Sequence, residues 1–218
     1  MSTPRPPWLE PLKDPRNEAI LAAAFDIFVE KGFHGATMLD VAKEARVSKE
    51  TLYARFDSKE GLLFALLAWG CGKAGDECAG VDAMIDEDPA GALTTYVATI
   101  LRRMTHAESV AVYRVIVSES GRTPAIGRTF NEMGEIGSAP MRARLYKALA
   151  ARGLIDADDF DEFEDDLFGL VRGNWHHNIL MGVAPLPDEA AIAARAERVV
   201  KRILRAYAPE RLRAANAA

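Results

Sequence analysis

Apolar residues recur at three- and four-residue steps along most of this chain, a period that predicts one helix after another. Ile20, Ala24, Ile27 and Phe28 form the first stripe, widened by Leu21 and Phe25. Pro15 suits a first helical position behind Asp14 as N-cap, and Gly32 ends the helix. Thr37 and Ser48 are placed to cap two short helices, Met38 to Ala45 and Lys49 to Phe56, and Ser58 to cap a fourth. That fourth helix opens on Leu62, Leu63, Leu66 and Leu67, then meets Gly70, Gly72 and Gly75. Each glycine costs about 1 kcal/mol relative to alanine, so the helix either weakens there or ends.

The helical period continues after Pro89 with Leu93, Val97, Ile100, Leu101 and Met104. Val110 to Val117 is rich in β-branched residues and compatible with a strand, but its flanks are helical and no partner strand is visible, which favours helix. Gly127, Gly134, Gly137 and Pro140 predict a broken segment before a further helix marked by Met141, Leu145 and Leu149 and stopped by Gly153. A long stripe runs from Phe160 through Phe163, Leu167, Leu170, Val171 and Trp175 to Ile179, stopped by Pro185 and Pro187. Asp188 is placed to cap a last helix carrying Ile192, Ala196, Val199, Ile203 and Tyr207. The total is about nine helices and no strand pair, an all-α protein.

Composition narrows the class. With 218 residues, 49% hydrophobic and 27% charged, the chain has the make-up of an ordinary globular protein. The proline-bearing residues 1–14 read as a flexible arm, 15–60 as a small helical domain, 61–207 as a larger bundle and 208–218 as a tail. Two cysteines, Cys71 and Cys78, make no disulfide scaffold and favour a reducing compartment. The N-terminus lacks a signal-peptide layout, and the longest apolar run, Leu62 to Trp69, falls far short of the ~20 residues a membrane span needs. A cytoplasmic protein without a membrane partner is the expectation.

The net charge of −5 does not suggest a nucleic-acid partner, but the charge is uneven. Ile155 to Asp166 holds eight carboxylates and no Lys or Arg, whereas Arg195 to Arg213 holds seven basic residues against two glutamates. Arg46 to Lys59 holds four basic residues against two acidic ones. There the short helices have the features of a helix-turn-helix: small Ala42 in mid-face, Val41, Ala45, Val47 and Leu52 to fill the angle, and a three-residue turn Arg46-Val47-Ser48. The following helix exposes Lys49, Glu50, Thr51 and Arg55, and such a helix fits a major groove about 12 Å wide.

Gly35-Ala36-Thr37, Val41-Ala42, the run Val47 to Phe56 and Ser58-Lys59-Glu60-Gly61-Leu62 resemble the DNA-binding domain of the TetR/AcrR transcriptional regulators. Ile20, Ala23, Ala24, Phe28, Gly32 and Phe33 match as well, whereas the C-terminal half is similar only loosely, through Tyr113 to Ser120, to the AefR-like type. The resemblance implies an operator-binding domain of three helices and a larger bundle that dimerises and takes a small ligand. It implies that Thr37 caps the second helix and touches a phosphate. It implies too that Lys49 and Thr51 face the groove, and that Tyr53 and Lys59 meet phosphates. Arg46 stands where this family often has glycine; a positive φ there carries a cost of about 1 kcal/mol, and the side chain flanks the DNA, as does Arg55.

The implied protein is a ligand-responsive repressor, a homodimer released from a palindromic operator by a small, mostly hydrophobic effector. Yielding at Gly70, Gly72 and Gly75 is one route from effector to DNA; a plain helix end is the other reading. Candidate effector contacts are Tyr96, Met104, Tyr113, Phe130, Arg172, Trp175 and His176. Candidate dimer contacts are Phe163, Leu167, Val171, Trp175, Ile192, Val199 and Ile203, unless a single subunit's core absorbs both stripes. His176 and His177 are adjacent and point about 100° apart on a helix, so they do not chelate as a pair four apart would. No metal site or cofactor is expected. The competing classes are a helical protein–protein adaptor and a helical enzyme, for which no nucleophile motif or phosphate loop speaks.

Overall fold

The computed structural model describes residues 14–156 and 159–209, without the side chains of 70–79 and 133–137. The expected N-terminal arm and C-terminal tail lie almost wholly outside the described residues. Nine helices are present among the described residues: α1 (Arg16–Gly35), α2 (Met38–Glu44), α3 (Lys49–Phe56), α4 (Lys59–Met84), α5 (Pro89–Thr105), α6 (Ala107–Ser120), α7 (Pro124–Ala151), α8 (Phe160–Leu180) and α9 (Glu189–Ala206). None of them is long and apolar enough to cross a membrane.

Local chemistry sets most of the boundaries. Thr37 and Asp40 form a reciprocal capping box at the start of α2, Ser48 accepts from the Thr51 amide, Ser58 from the Gly61 amide, and Asp188 from the Ala191 amide. Asp14 accepts from the Arg16 amide, with Pro15 beginning the first turn. Gly32 takes φ +70°, a left-handed conformation that breaks α1 and turns its last residues aside.

One helix continues past its glycines, and another runs through a proline expected to break it. α4 continues past Gly70, Gly72 and Gly75 to Met84, and residues 124–151 form one helix through Pro140 where a broken segment is expected. An interior proline costs about 3 kcal/mol through its missing N–H and its clash with the preceding turn. Packing at both ends holds α7 in place: Ile126 is buried in one core, and Leu145, Tyr146 and Leu149 in another.

The helices pack into two compact units, and the division does not fall at residue 60. The first unit comprises the described chain through Lys73 together with Ala111–Gly137; the second comprises Ala74–Val110 and the described chain from Ser138 on. The first core gathers Ile20, Leu21 and Phe28 of α1, Val41 of α2, Leu52 of α3 and Leu62, Leu63 and Leu66 of α4 around Ile116 of α6. The three-helix domain therefore shares its core with α6. The second core is centred on α5, α8 and α9, with Leu93, Val97, Phe163, Leu167, Val171, Ile192, Ala196 and Ile203 all buried, and is joined by Val81 of α4 and Leu145, Tyr146 and Leu149 of α7.

Six of the seven candidate dimer residues thereby belong to the chain's own interior. Phe163, Leu167, Val171, Ile192, Val199 and Ile203 are buried against α5 and one another, which corrects the expectation that they form an intersubunit seam. The stripe is wide enough to cover one helix pair, and α5 supplies that cover. Trp175 alone stays half-buried.

Candidate nucleic-acid interface and effector region

The positions of α2 and α3 follow from their caps and buried faces. Met38, Val41 and Ala42 of α2 and Leu52 and Phe56 of α3 point into the core, leaving Lys49, Glu50, Tyr53 and Ala54 outward. The Lys49 ammonium lies 5.6 Å from the centre of the Tyr53 ring, one turn on, so the two candidate DNA contacts form one exposed pair. Glu50 bonds its own backbone and the Ser48 hydroxyl, which holds its carboxyl below the usual range. It is fixed at the helix start, where a negative charge suits the dipole.

Arg46 has φ +54° and is exposed, so the strained turn is present with arginine in it. Thr37 is exposed, its hydroxyl committed to the box with Asp40. That bond, followed by Lys31 at 2.9 Å, drives the Asp40 carboxyl far below its ordinary value.

Three candidates are turned inward. Thr51 is half-buried, its hydroxyl 3.0 Å from that of Ser48. The Arg55 guanidinium bonds Asn17 and lies 3.5 Å from Asp14, tying α3 to the start of α1. The Lys59 amine donates to the carbonyls of Phe33, at 2.6 Å, and Ala36, at 3.0 Å, and lies 4.5 Å from the centre of the Phe33 ring. Lys59 thus closes the chain end freed by the break at Gly32, a structural tie at the residue for which a phosphate contact is expected.

The effector candidates divide between the units. Tyr113 and Phe130 are in the first, their ring centres 5.7 Å apart; Tyr96, Met104, Arg172, Trp175 and His176 are in the second. Tyr96 and His176 are buried, whereas Arg172 is exposed beside Phe168. Burial holds the His176 imidazole below its ordinary pKa, opposed by a hydrogen bond with the Met104 backbone. That is the setting of a neutral core histidine. Burial also pushes the Tyr96 hydroxyl up to about 12, so it stays protonated.

Two polar arrangements were not legible as motifs. Gly173 takes φ +44° and breaks α8, and the Arg195 guanidinium covers the carbonyls exposed there: Leu170 and Val171 at 3.0 Å and Arg172 at 3.3 Å. Its other side lies 4.8 Å from the Trp175 ring centre. Separately, Arg142, Glu164, Ser138, Tyr96 and Tyr146 gather within the second unit. These residues come from three helices, and no spacing along the chain announces them. Among the described residues, no group of three or more His, Cys, Asp or Glu is arranged to hold a metal.

Comparison with known proteins agrees with this geometry. "Bacterial regulatory proteins, tetR family" matches residues 20–66, and "AefR-like transcriptional repressor, C-terminal domain" matches 91–209. An uncharacterized HTH-type transcriptional regulator of Bacillus subtilis, YvkB, is 25% identical over 87% of this chain and 97% of its own. The flavonoid-responsive regulator FrrA is 32% identical, with a TM-score of 0.70 over 89% of this chain and 98% of its own. A TetR-family transcriptional regulator from Mesorhizobium loti, at 24% identity and a TM-score of 0.74 over 89% and 97%, shares the fold. The chain belongs to the TetR family of transcriptional regulators, with an AefR-like C-terminal domain, and is a DNA-binding regulator rather than an enzyme.

Proposed function

We propose that this regulator represses transcription as a homodimer on a palindromic operator and is released by a small, largely apolar effector. The observation that carries the DNA reading is the paired exposure of Lys49 and Tyr53 on α3, a helix whose other face is locked by Leu52 and Phe56. A two-fold dimer presents two such helices to half-sites one helical turn apart, about 34–36 Å. Lys49 and Tyr53 contact the groove and its phosphates, with Arg46 and Thr37 at the flank. Its site of action is then the cytoplasm.

The surface we assign to the dimer is the exposed side of α8 and α9, in place of the buried stripes. A depression of about 260 Å³ lies there, lined by Gly169, Leu170, Gly173, Trp175, Arg198 and Arg202 among others. Gly169 faces open space and leaves room for a helix to approach closely. Asp161, Glu162 and Asp165 are exposed at the start of α8, and Arg198 and Arg202 along α9. In an isologous contact the acidic end of one protomer meets the basic helix of its partner. That FrrA is flavonoid-responsive supports a small effector for this chain too.

The test is selection of bound fragments from genomic DNA, followed by titration of the selected site at several salt concentrations. Specific, salt-dependent binding is expected, weakened in Lys49→Ala and Tyr53→Ala proteins that remain folded dimers. Unchanged affinity in both variants removes α3 from the interface. Light scattering of Arg198→Glu/Arg202→Glu checks the dimer surface: monomers are expected, and a persistent dimer rejects it.

A further inference from the structure

The bundle of the second unit hides a charge. The Arg142 side chain is only 6% exposed, on the same helix that sends Leu145 and Leu149 into the second unit's apolar core. Its Nε and Nη2 donate to the two oxygens of Glu164 at 3.1 and 2.9 Å, a two-pronged carboxylate grip, and Nη1 donates to the Ser138 hydroxyl at 2.6 Å. Tyr96 adjoins this group, in contact with Arg142 and Ser138. Tyr146 turns its hydroxyl toward Glu164 without forming a well-aligned hydrogen bond, although that oxygen is buried.

Stability alone does not account for this arrangement. A buried ion pair roughly breaks even against apolar residues of the same size, and an unbonded buried hydroxyl costs about 1–3 kcal/mol. Convergent buried polar groups in an otherwise apolar bundle are the pattern of a ligand anchor. The two charged partners also differ in how far they are held. Arg142 is enclosed, whereas Glu164 is 22% exposed, near the start of α8, and has a path into water. The carboxylate on Arg142 is therefore the exchangeable half of the pair. Next to it, the half-buried apolar side chains of Met141 and Phe160 border the same core, the Phe160 ring centre 6.1 Å from that of Tyr146.

We propose that Arg142 is the anchor for an effector with a single carboxylate on an apolar body, and that Glu164 occupies the anchor as a built-in competitor until such a ligand displaces it. The ligand's carboxylate takes both prongs of the guanidinium, with Ser138, Tyr96 and Tyr146 at its edge. The Tyr146 hydroxyl gains an acceptor, and Glu164 moves into water. This rests on the reading that the protein is ligand-responsive and narrows it to organic monoanions. A polyanion does not fit a site with one guanidinium and a neighbouring carboxylate.

The full-length protein is titrated with decanoate and cinnamate, and with decanamide and cinnamamide as uncharged counterparts, following the melting temperature and operator affinity. The acids are expected to raise the melting temperature and weaken DNA binding, and the amides to do neither. Glu164→Gln removes the competitor and should tighten acid binding about tenfold, since apparent affinity scales with the fraction of open sites. Arg142→Gln/Glu164→Gln keeps a neutral pair in place, stays folded by circular dichroism, and should lose the response. Amides that act as well as acids, a response that survives in the double variant, or no acid binding even to Glu164→Gln each overturns the anchor. Arg142-dependent acid binding that leaves operator affinity unchanged upholds the anchor and overturns its effector role. A neutral polyphenol that releases DNA equally from wild type and double variant keeps the protein ligand-responsive and refutes the monoanion.

Discussion

The α2–α3 pair and the α8–α9 pair both carry clear apolar stripes, yet only in the first does the stripe tell which residues face outward. α3 is 8 residues long, capped at Ser48, with Leu52 and Phe56 inside, so only one face remains for Lys49 and Tyr53. α8 and α9 are 21 and 18 residues long, and their stripes meet α5 inside the chain's own core. A short helix leaves few faces to choose among. A long amphipathic helix records that something covers it, without recording what.

The largest expected effect separates these cases by stability. Phe163 is fully buried, its ring 5.0 Å from those of both Tyr146 and Tyr207. Phe163→Ala should destabilise the protein by about 3–5 kcal/mol in denaturant titration. At a temperature where the variant is folded, it should still dimerise. A folded, stable monomer would return the buried stripe to the interface and erase the contrast with α3.

Two lysines within ten residues sharpen the comparison next. Lys49→Ala should weaken operator binding, by about 1–3 kcal/mol if it reads a base, or with a salt slope flatter by about one if it meets a phosphate. Lys59→Met strips the donor from the Phe33 and Ala36 carbonyls, and leaving buried acceptors unmet costs about 1–3 kcal/mol of folding stability. Its salt slope should match wild type. If Lys59→Met flattens the slope and leaves stability untouched, the tie to α1 is not its role.

What the sequence made legible follows the reach of each signal. Ser48, Ser58, Thr37 and Asp188 act within three residues, and all four cap as their spacing implies. Gly32 breaks α1 as expected because its left-handed φ is a local property. Lys59 bonds carbonyls 23 and 26 residues away, and Arg142 meets a carboxylate 22 residues on; neither distance has a period to betray it. α7 runs through Pro140 because packing in two cores outweighs a local breaker, the case in which propensity is a poor guide.

His176 supplies a smaller, pH-dependent effect in the second unit. Its folded pKa is depressed by burial, so the imidazole is held neutral. The unfolded chain takes up the proton near pH 6.5 and the folded chain only at lower pH. Stability is then fully present above about pH 6.5 and declines as pH falls from there toward the depressed folded value. Thermal melts in that window should show His176→Gln less sensitive than wild type. An identical slope would place the histidine in water rather than in the core.

The smallest effect belongs to the turn that joins α2 to α3. Arg46 holds φ +54°, which costs an L-residue about 1 kcal/mol, so Arg46→Gly removes strain. Glycine also frees the unfolded chain, at an opposing cost of about 0.4–1 kcal/mol. The two nearly cancel, and the melting temperature should move by less than about 2 °C, the scale of a few tenths of a kcal/mol for a chain of this length. DNA affinity has no such cancellation. If the exposed arginine meets a phosphate, the glycine variant binds all sequences more weakly and its salt slope flattens by about one. A variant that binds like wild type would show that arginine at this turn is tolerated strain without a role at the operator, and would remove the turn from the contact surface.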